Sequence, residues 1–139
     1  MLNLILAELV AQRPTHLKDA LVHVEADAPE ELLTALRSIP DDTNPDTLRA
    51  SGYVIDTLQT SLYHGLTADT AEEAIVSAVN MGEDTDTVGA VTGAIAGARF
   101  GADALPDRWI GELECADEIE HLESVLITAE FTVDEDSVS

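Results

Sequence analysis

From Val88 the chain reads VGAVTGAIAGARFG, with glycines at 89, 93, 97 and 101. A step of four places them on one stripe of an α-helix, with Ala90, Ala94 and Ala98 beside it. Each interior glycine costs a helix about 1 kcal/mol relative to alanine. Such a segment stays helical where a second helix approaches closely enough to compensate. A tightly packed helical interior is therefore the first demand this chain makes on its fold.

Other segments agree with that demand. LNLILAELVAQ reads as a helix stopped by Pro14. HLKDALVHV and PEELLTALRSI read as two more, with Pro29 in the first turn of the second. A longer helix is expected from Asn44 as N-cap and Pro45 at the first helical position. Leu48, Val54, Ile55, Leu58, Leu62 and Leu66 then recur at helical spacing. TAEEAIVSAVNMG opens on a capping box, Thr70 to Glu73, and stops at Gly82. After the glycine helix come a short PDRWIGEL turn and the helix ADEIEHLESVLI. Aromatics make up only 4% of the chain, so the core is built from Ala, Val, Leu and Ile. No segment has the alternation of a strand. The expected fold is all-α, an orthogonal helical bundle in one domain over residues 1–129, followed by an acidic tail over 130–139 that frays.

The charge is extreme, with 28 acidic residues against 6 basic ones and a net charge of −22. Self-repulsion of that size destabilises a compact chain in dilute buffer and is screened at high salt. The acids are spread along the whole chain, which suits a protein from a salt-accumulating halophile. Binding to nucleic-acid phosphates is disfavoured. One cysteine, Cys115, leaves no internal disulfide and no CxxC metal site. The apolar part of the glycine helix is too short to span a bilayer and carries Arg99. No signal peptide is recognisable, so a cytoplasmic location without membrane association is expected. His16, His23, His64 and His121 show no spacing that suggests a site.

Chemistry concentrates just before the glycine helix, in NMGEDTDT (residues 80–87). Asp84 and Asp86 alternate in a turn and can converge on one point, and Thr87 adds a hydroxyl. Three hard oxygens suit Mg²⁺, Mn²⁺ or Ca²⁺ better than Zn²⁺. Helix capping alone also explains an Asp or Thr at this place, and stabilises by ~1 kcal/mol. One acid suffices for a cap, however, and Glu83, Asp84 and Asp86 bring three carboxylates together. An EF-hand loop is excluded by Val88, which stands where a further ligand is needed. Asp84-x-Asp86 also fits the nucleophile pattern of haloacid-dehalogenase-type phosphatases, but that reading needs a strand before Asp84, and the preceding segment reads as a helix.

NMGEDTDT, the following VGAVTGAIAGARFG and the later PDRW occur in the order typical of the ADP-ribosylglycohydrolase family, which includes the dinitrogen reductase-activating glycohydrolases. SGYVIDTLQTSLYHGL and TAEEAIVSAVNMG resemble the two helices that precede the motif in that family, and GELECADEIEHLESVL resembles its closing helix. The likeness covers roughly Leu48 to Leu126, the C-terminal part of the family domain. It implies an all-α fold and a two-metal site, usually Mg²⁺ or Mn²⁺, that cleaves an N- or O-glycosidic bond of ADP-ribose. On it, Asp84, Asp86 and Thr87 match the C-terminal metal-ligand triplet. Gly52 and Tyr53 fall where the substrate ribose approaches, although a helix-start glycine and a half-buried aromatic would look the same. Glu83 departs from the small residue, often glycine, that many members carry.

The family's other acidic ligand set, of the T-D-D-T kind, and its acidic catalytic residue have no counterpart here. The DDT at Asp41–Thr43 lies in the loop leading to Pro45 and in the wrong order. No catalytic residue is therefore assigned. The expected function is an ADP-ribosylglycohydrolase-like hydrolase, truncated or half of a split enzyme. Its partners would be ADP-ribose or an ADP-ribosylated protein and a separate polypeptide carrying the N-terminal half. The alternative is a non-catalytic helical module that binds a partner or ADP-ribose.

Overall fold

The computed structural model describes residues 1–11 and 17–129. Eight α-helices lie among them, and no strand. Pro14, His16 and the acidic tail fall outside the described residues. The chain divides into two compact units, Met1–Leu105 and Pro106–Ser139.

In the first unit, α1 (Leu2–Val10), α2 (Leu17–Val22) and α3 (Glu30–Arg37) precede a 3-10 turn at Pro45–Thr47, and α4 (Val54–Thr67), α5 (Ala71–Val79) and α6 (Thr85–Phe100) follow it. Pro29 sits just before α3 in an extended conformation rather than within its first turn. Asn44 does act as a cap, accepting from the Asp46 amide at 3.0 Å, but it caps the 3-10 turn. The single long helix expected from Asn44 onward is thus not formed. Leu48 leaves the turn with ψ 146, Tyr53 is extended at ψ 127, and α4 begins only at Val54. Leu48 is buried on its own account, while Val54 is 70% exposed.

Helix α4 has two working faces. Its leucines, Leu62 fully buried with Leu58 and Leu66 beside it, join Ile5, Leu9, Leu33, Leu36 and Ile95 in the main apolar cluster. On the adjacent face, recurring every three or four residues, Thr57, Thr60, Ser61 and Gly65 form a second buried stripe of hydroxyls and one glycine. Helix α6 packs chiefly on α4 and then on α5.

The glycine stripe of α6 behaves differently from expectation. At Gly89 a Cβ would lie 2.9 Å from Val79 Cγ1 of α5, so the close approach is real there. At Gly93 the nearest atom is Ile75 Cδ1 at 4.0 Å, and at Gly97 nothing comes within 4 Å. Gly101 ends the helix at φ +87, a conformation that favours glycine. The tightest contact involves a glycine on the other helix. A Cβ at Gly65 would lie 2.5 Å from Ile95 Cγ2 and 2.9 Å from Ile95 Cβ. Arg99, near the end of α6, then donates to the carbonyls of Gly65 at 3.1 Å and Ala68 at 2.7 Å, capping α4.

Helix α5 starts as its capping box predicts. Thr70 Oγ1 accepts from the Glu73 amide at 3.1 Å. Glu73 reaches one residue further back than the usual box, to the Asp69 amide at 3.0 Å. The second unit holds α7 (Asp107–Ile110) and α8 (Ala116–Thr128). Arg108 lies over the Trp109 ring at 5.4 Å.

Candidate metal-ligand turn and substrate loop

The turn between α5 and α6 is built from backbone requirements. Gly82 at φ +82 and Glu83 at φ +59 are both left-handed, and together they reverse the chain after α5. Asp84 then takes the N-cap position of α6, with its carbonyl accepting from the Val88 amide at 3.2 Å. Its own amide donates to the Ala50 carbonyl at 2.8 Å, which ties the turn to the segment before α4.

Side chains converge on Asp84. Thr87 Oγ1 donates to Asp84 Oδ1 at 2.9 Å. The Thr87 amide donates to Asp86 Oδ1 at 3.0 Å. Hydrogen bonding with the Asp84 side chain, helped by the Thr87 amide, holds the Asp86 carboxyl below the usual aspartate range. The structure therefore brings Asp84, Asp86 and Thr87 together, but through the N-cap and first turn of α6, which begins at Thr85, and not through the extended turn expected from the alternation. Glu83 is not part of the group. Its backbone turns the side chain toward Arg49, with Oε1 3.9 Å from Nη2. The expected convergence of three carboxylates is accordingly reduced to two. Among the described residues, no group of three His, Cys, Asp or Glu side chains is placed to hold a metal ion.

The segment 49–53 is fastened to α4 by hydroxyls. Thr60 Oγ1 donates to the Arg49 carbonyl at 2.6 Å, and Thr57 Oγ1 to the Ser51 carbonyl at 3.0 Å. Ser51 Oγ donates to Asp56 Oδ2 at 2.5 Å and accepts from the Tyr53 amide at 3.1 Å. Ser61 Oγ reaches across to the Val88 carbonyl in the first turn of α6, at 3.3 Å. The loop and the aspartate turn thus hang from one face of α4. Leucine periodicity pointed to the other face, so sequence reasoning missed Thr57, Thr60 and Ser61. Their spacing of three and one, on a helix otherwise rich in leucine, was the available signal. One hydroxyl, Thr92 Oγ1 in the middle of α6, is buried without a hydrogen-bond partner.

Gly52 lies over the turn. A Cβ there would stand 3.4 Å from Asp84 Oδ2, so any side chain would close the space above that carboxylate. Tyr53 is 48% exposed, and its hydroxyl donates to Glu31 Oε2 at 3.1 Å. That hydrogen bond to Glu31 raises the tyrosine pKa above its ordinary value. Asp41 and Asp42 are exposed in the turn after α3, and Thr43 Oγ1 pairs with Ser38 Oγ at 2.9 Å. His64 Nε2 lies 3.2 Å from Met81 Sδ, and burial lowers its pKa. The phosphatase reading falls, because α5 and not a strand precedes Asp84.

The family model for ADP-ribosylglycohydrolase matches residues 1–136. The chain belongs to the ADP-ribosylglycohydrolase family. The match extends past the Leu48–Leu126 region in which the motifs lie and takes in the first three helices. An ADP-ribosylarginine hydrolase Tri1 from Serratia proteamaculans is 42% identical over 77 residues, covering 55% of this chain and 21% of that protein. An ADP-ribosyl-[dinitrogen reductase] glycohydrolase from Rhodospirillum rubrum is 39% identical over 66 residues, covering 48% of this chain and 22% of that protein. A second Tri1, from Pseudomonas putida, is 31% identical over 121 residues, covering 79% and 33%. The chain therefore spans between a fifth and a third of the length of these three relatives. No solved structure matches it. No helix among the described residues is long and apolar enough to cross a membrane.

Proposed function

We propose that this chain carries one ligand set and the ribose-facing loop of an ADP-ribosylglycohydrolase centre. One observation carries the reading. The Asp84 turn and the Gly52 loop form a single hydrogen-bonded unit, joined through the Asp84 amide and the Ala50 carbonyl at 2.8 Å. Asp84 Oδ1 is engaged by Thr87 while Oδ2 lies beneath Gly52, where no side chain blocks it.

The donor set fits a hard divalent cation. Asp84, Asp86 and the Thr87 hydroxyl would hold Mg²⁺ or Mn²⁺ as a partial oxygen shell. When bound, such an ion polarises sugar hydroxyls and lowers the pKa of a water molecule. The chain's own residues do the positioning. Asp84 and Asp86 offer negative charge at the N-terminus of α6. Gly52 leaves room for a ribose edge, and Tyr53 presents an exposed ring beside it. The substrate class is an ADP-ribosyl group on a protein side chain or a small molecule.

Hydrolysis also needs a second ligand set and an acid–base group. We place these on a complementary segment or polypeptide, so the centre is completed by association. The test is release of ADP-ribose from an ADP-ribosylated arginine peptide with Mg²⁺ or Mn²⁺ at high salt. It is run on this chain alone and on this chain mixed with a polypeptide carrying the family's first ligand set. Release from the mixture that disappears with Asp84→Asn supports the reading. Equal release with and without Asp84 refutes it.

A further inference from the structure

Each α-helix of the first unit buries part of a face, whereas α8 buries none of its residues. Ile119 and Leu122 are each 53% exposed and Leu126 62%, while the leucines of α3, Leu33 and Leu36, are 2% and 0% exposed. A helix of 13 residues is marginal in water unless an apolar face packs on something. The exposed side chains of α8 are also ordered. Ile119, Leu122 and Leu126 recur at steps of three and four, which sets them on one seam, the spacing by which two helices pack side by side. A cavity of about 450 Å³ joins Ile110, Leu113 and Cys115 to the start of the same helix, so the apolar surface extends past its first turn.

The flanks of the seam decide what can cover it. Helical spacing puts Glu118 on one side and Glu123 on the other, and α8 carries Asp117 and Glu120 besides, with no lysine or arginine. A second copy of this helix, parallel or antiparallel, sets glutamate against glutamate along both edges of the seam, and like charges so placed select against it. The complementary occupant is a helix with an apolar seam of its own, flanked by lysine or arginine. This chain does not supply one, because its 6 basic residues are scattered and no described helix carries more than one of them. The relatives do have room for it, since the aligned regions cover only 21% to 33% of their lengths.

We infer that α8 is the docking face for the complementary segment or polypeptide, which lays on it a helix whose apolar seam is flanked by lysine or arginine. The inference rests on the reading that the centre is completed by association. Burial of Ile119, Leu122 and Leu126 supplies the attraction, and Glu118 and Glu123 select the partner and its register. Docking and metal ligation are then separate tasks, because α8 supplies none of the oxygens of the aspartate turn.

Fluorescence anisotropy on the full chain at about 0.5 M salt, where charge is screened only in part, tests this with three labelled helical peptides. One carries a leucine seam flanked by lysines, one the same seam flanked by glutamates, and one the residues of the lysine peptide scrambled so that no seam remains. The first should bind at least about tenfold tighter than either of the others. Leu122→Gln and Leu126→Gln should each weaken it about tenfold, the loss of one buried leucine; both positions are exposed, so neither variant disturbs the fold. Glu118→Lys combined with Glu123→Lys should reverse the preference toward the glutamate-flanked peptide. Equal binding of the scrambled peptide, or unchanged affinity in both glutamine variants, overturns the inference. So does a dimer of the chain alone that Leu122→Gln dissociates in sedimentation, which makes a second copy the occupant. In the mixture assay for ADP-ribose release, raising the complementary polypeptide should rescue Leu122→Gln and not Asp84→Asn. Seam-dependent peptide binding with no release from the mixture keeps the docking face and removes the hydrolase reading. Release that Leu122→Gln leaves unchanged at limiting polypeptide removes the docking face alone.

Discussion

Helix α6 meets two neighbours in two different ways. Toward α5 it presents the glycines that stand out in the sequence, yet only Gly89 makes a close approach, and Gly97 faces open space. Toward α4 it presents Ile95, and the glycine that permits contact lies on α4. The α4 side also carries the hydroxyl bonds of Thr57, Thr60 and Ser61 that hold the 49–53 loop and reach the first turn of α6. A glycine stripe therefore marks where backbone could approach, and the geometry of the loop and the aspartate turn is set on the face where one glycine and three hydroxyls enforce it.

The largest expected effect that can break this comparison is at Gly65. Gly65→Ala drives a methyl into Ile95, and we expect a loss of about 2 kcal/mol, an overpacking penalty partly offset by better helix propensity. Chemical denaturation measures it, and a stabilised Gly65→Ala would show that the α4–α6 contact is looser than described. Thr60→Val follows. It deletes the donor to the Arg49 carbonyl, with an expected loss of about 1.5 kcal/mol. Gly97→Ala should have the opposite sign, gaining up to ~1 kcal/mol because nothing opposes the added methyl. Gly89→Ala should come out near zero, its propensity gain cancelled by the contact with Val79. Equal stabilisation at 89 and 97 would erase the distinction between the two positions.

A small, pH-dependent effect comes from His64, half-buried against Met81 Sδ. Burial puts its folded pKa below the unfolded value of 6.5. The unfolded chain then binds the proton more readily, so the stabilisation is complete above pH 6.5 and is lost as pH falls toward the folded value. Melting temperatures at about pH 7.5 and about pH 5.5 should differ less in His64→Gln than in the wild type. An identical pH response in both would remove this histidine from the account.

Much of this was legible in the sequence, for physical reasons. Alternating carboxylates beside a threonine at the mouth of a helix are a local pattern, and local backbone geometry brings Asp84, Asp86 and Thr87 together. The capping box at Thr70 is likewise local, whereas Gly101, counted with the stripe, ends the helix at φ +87. The break at Leu48–Tyr53 was not legible, because apolar periodicity runs through it. Leu48 keeps the helical count while its side chain is buried from an extended backbone. The position of Glu83 was also hidden, since its left-handed φ sends the side chain to a residue 34 positions earlier in the chain. The hydroxyl stripe of α4 was passed over because Thr and Ser on a helix read as solvated, and only its partners 49–51 and 88 show what it binds.

The central claim is that α4 holds the loop and the aspartate turn as one oxygen-bearing unit. Mn²⁺ binding to the full chain at high salt, followed by electron paramagnetic resonance, tests it most directly. Asp84→Asn should lower Mn²⁺ affinity about a hundredfold, as loss of a charged ligand from a small set. Thr60→Val, which offers no ligand, should lower it about tenfold through loss of support, and Gly97→Ala should leave it unchanged. Wild-type Mn²⁺ affinity in Asp84→Asn would contradict the account.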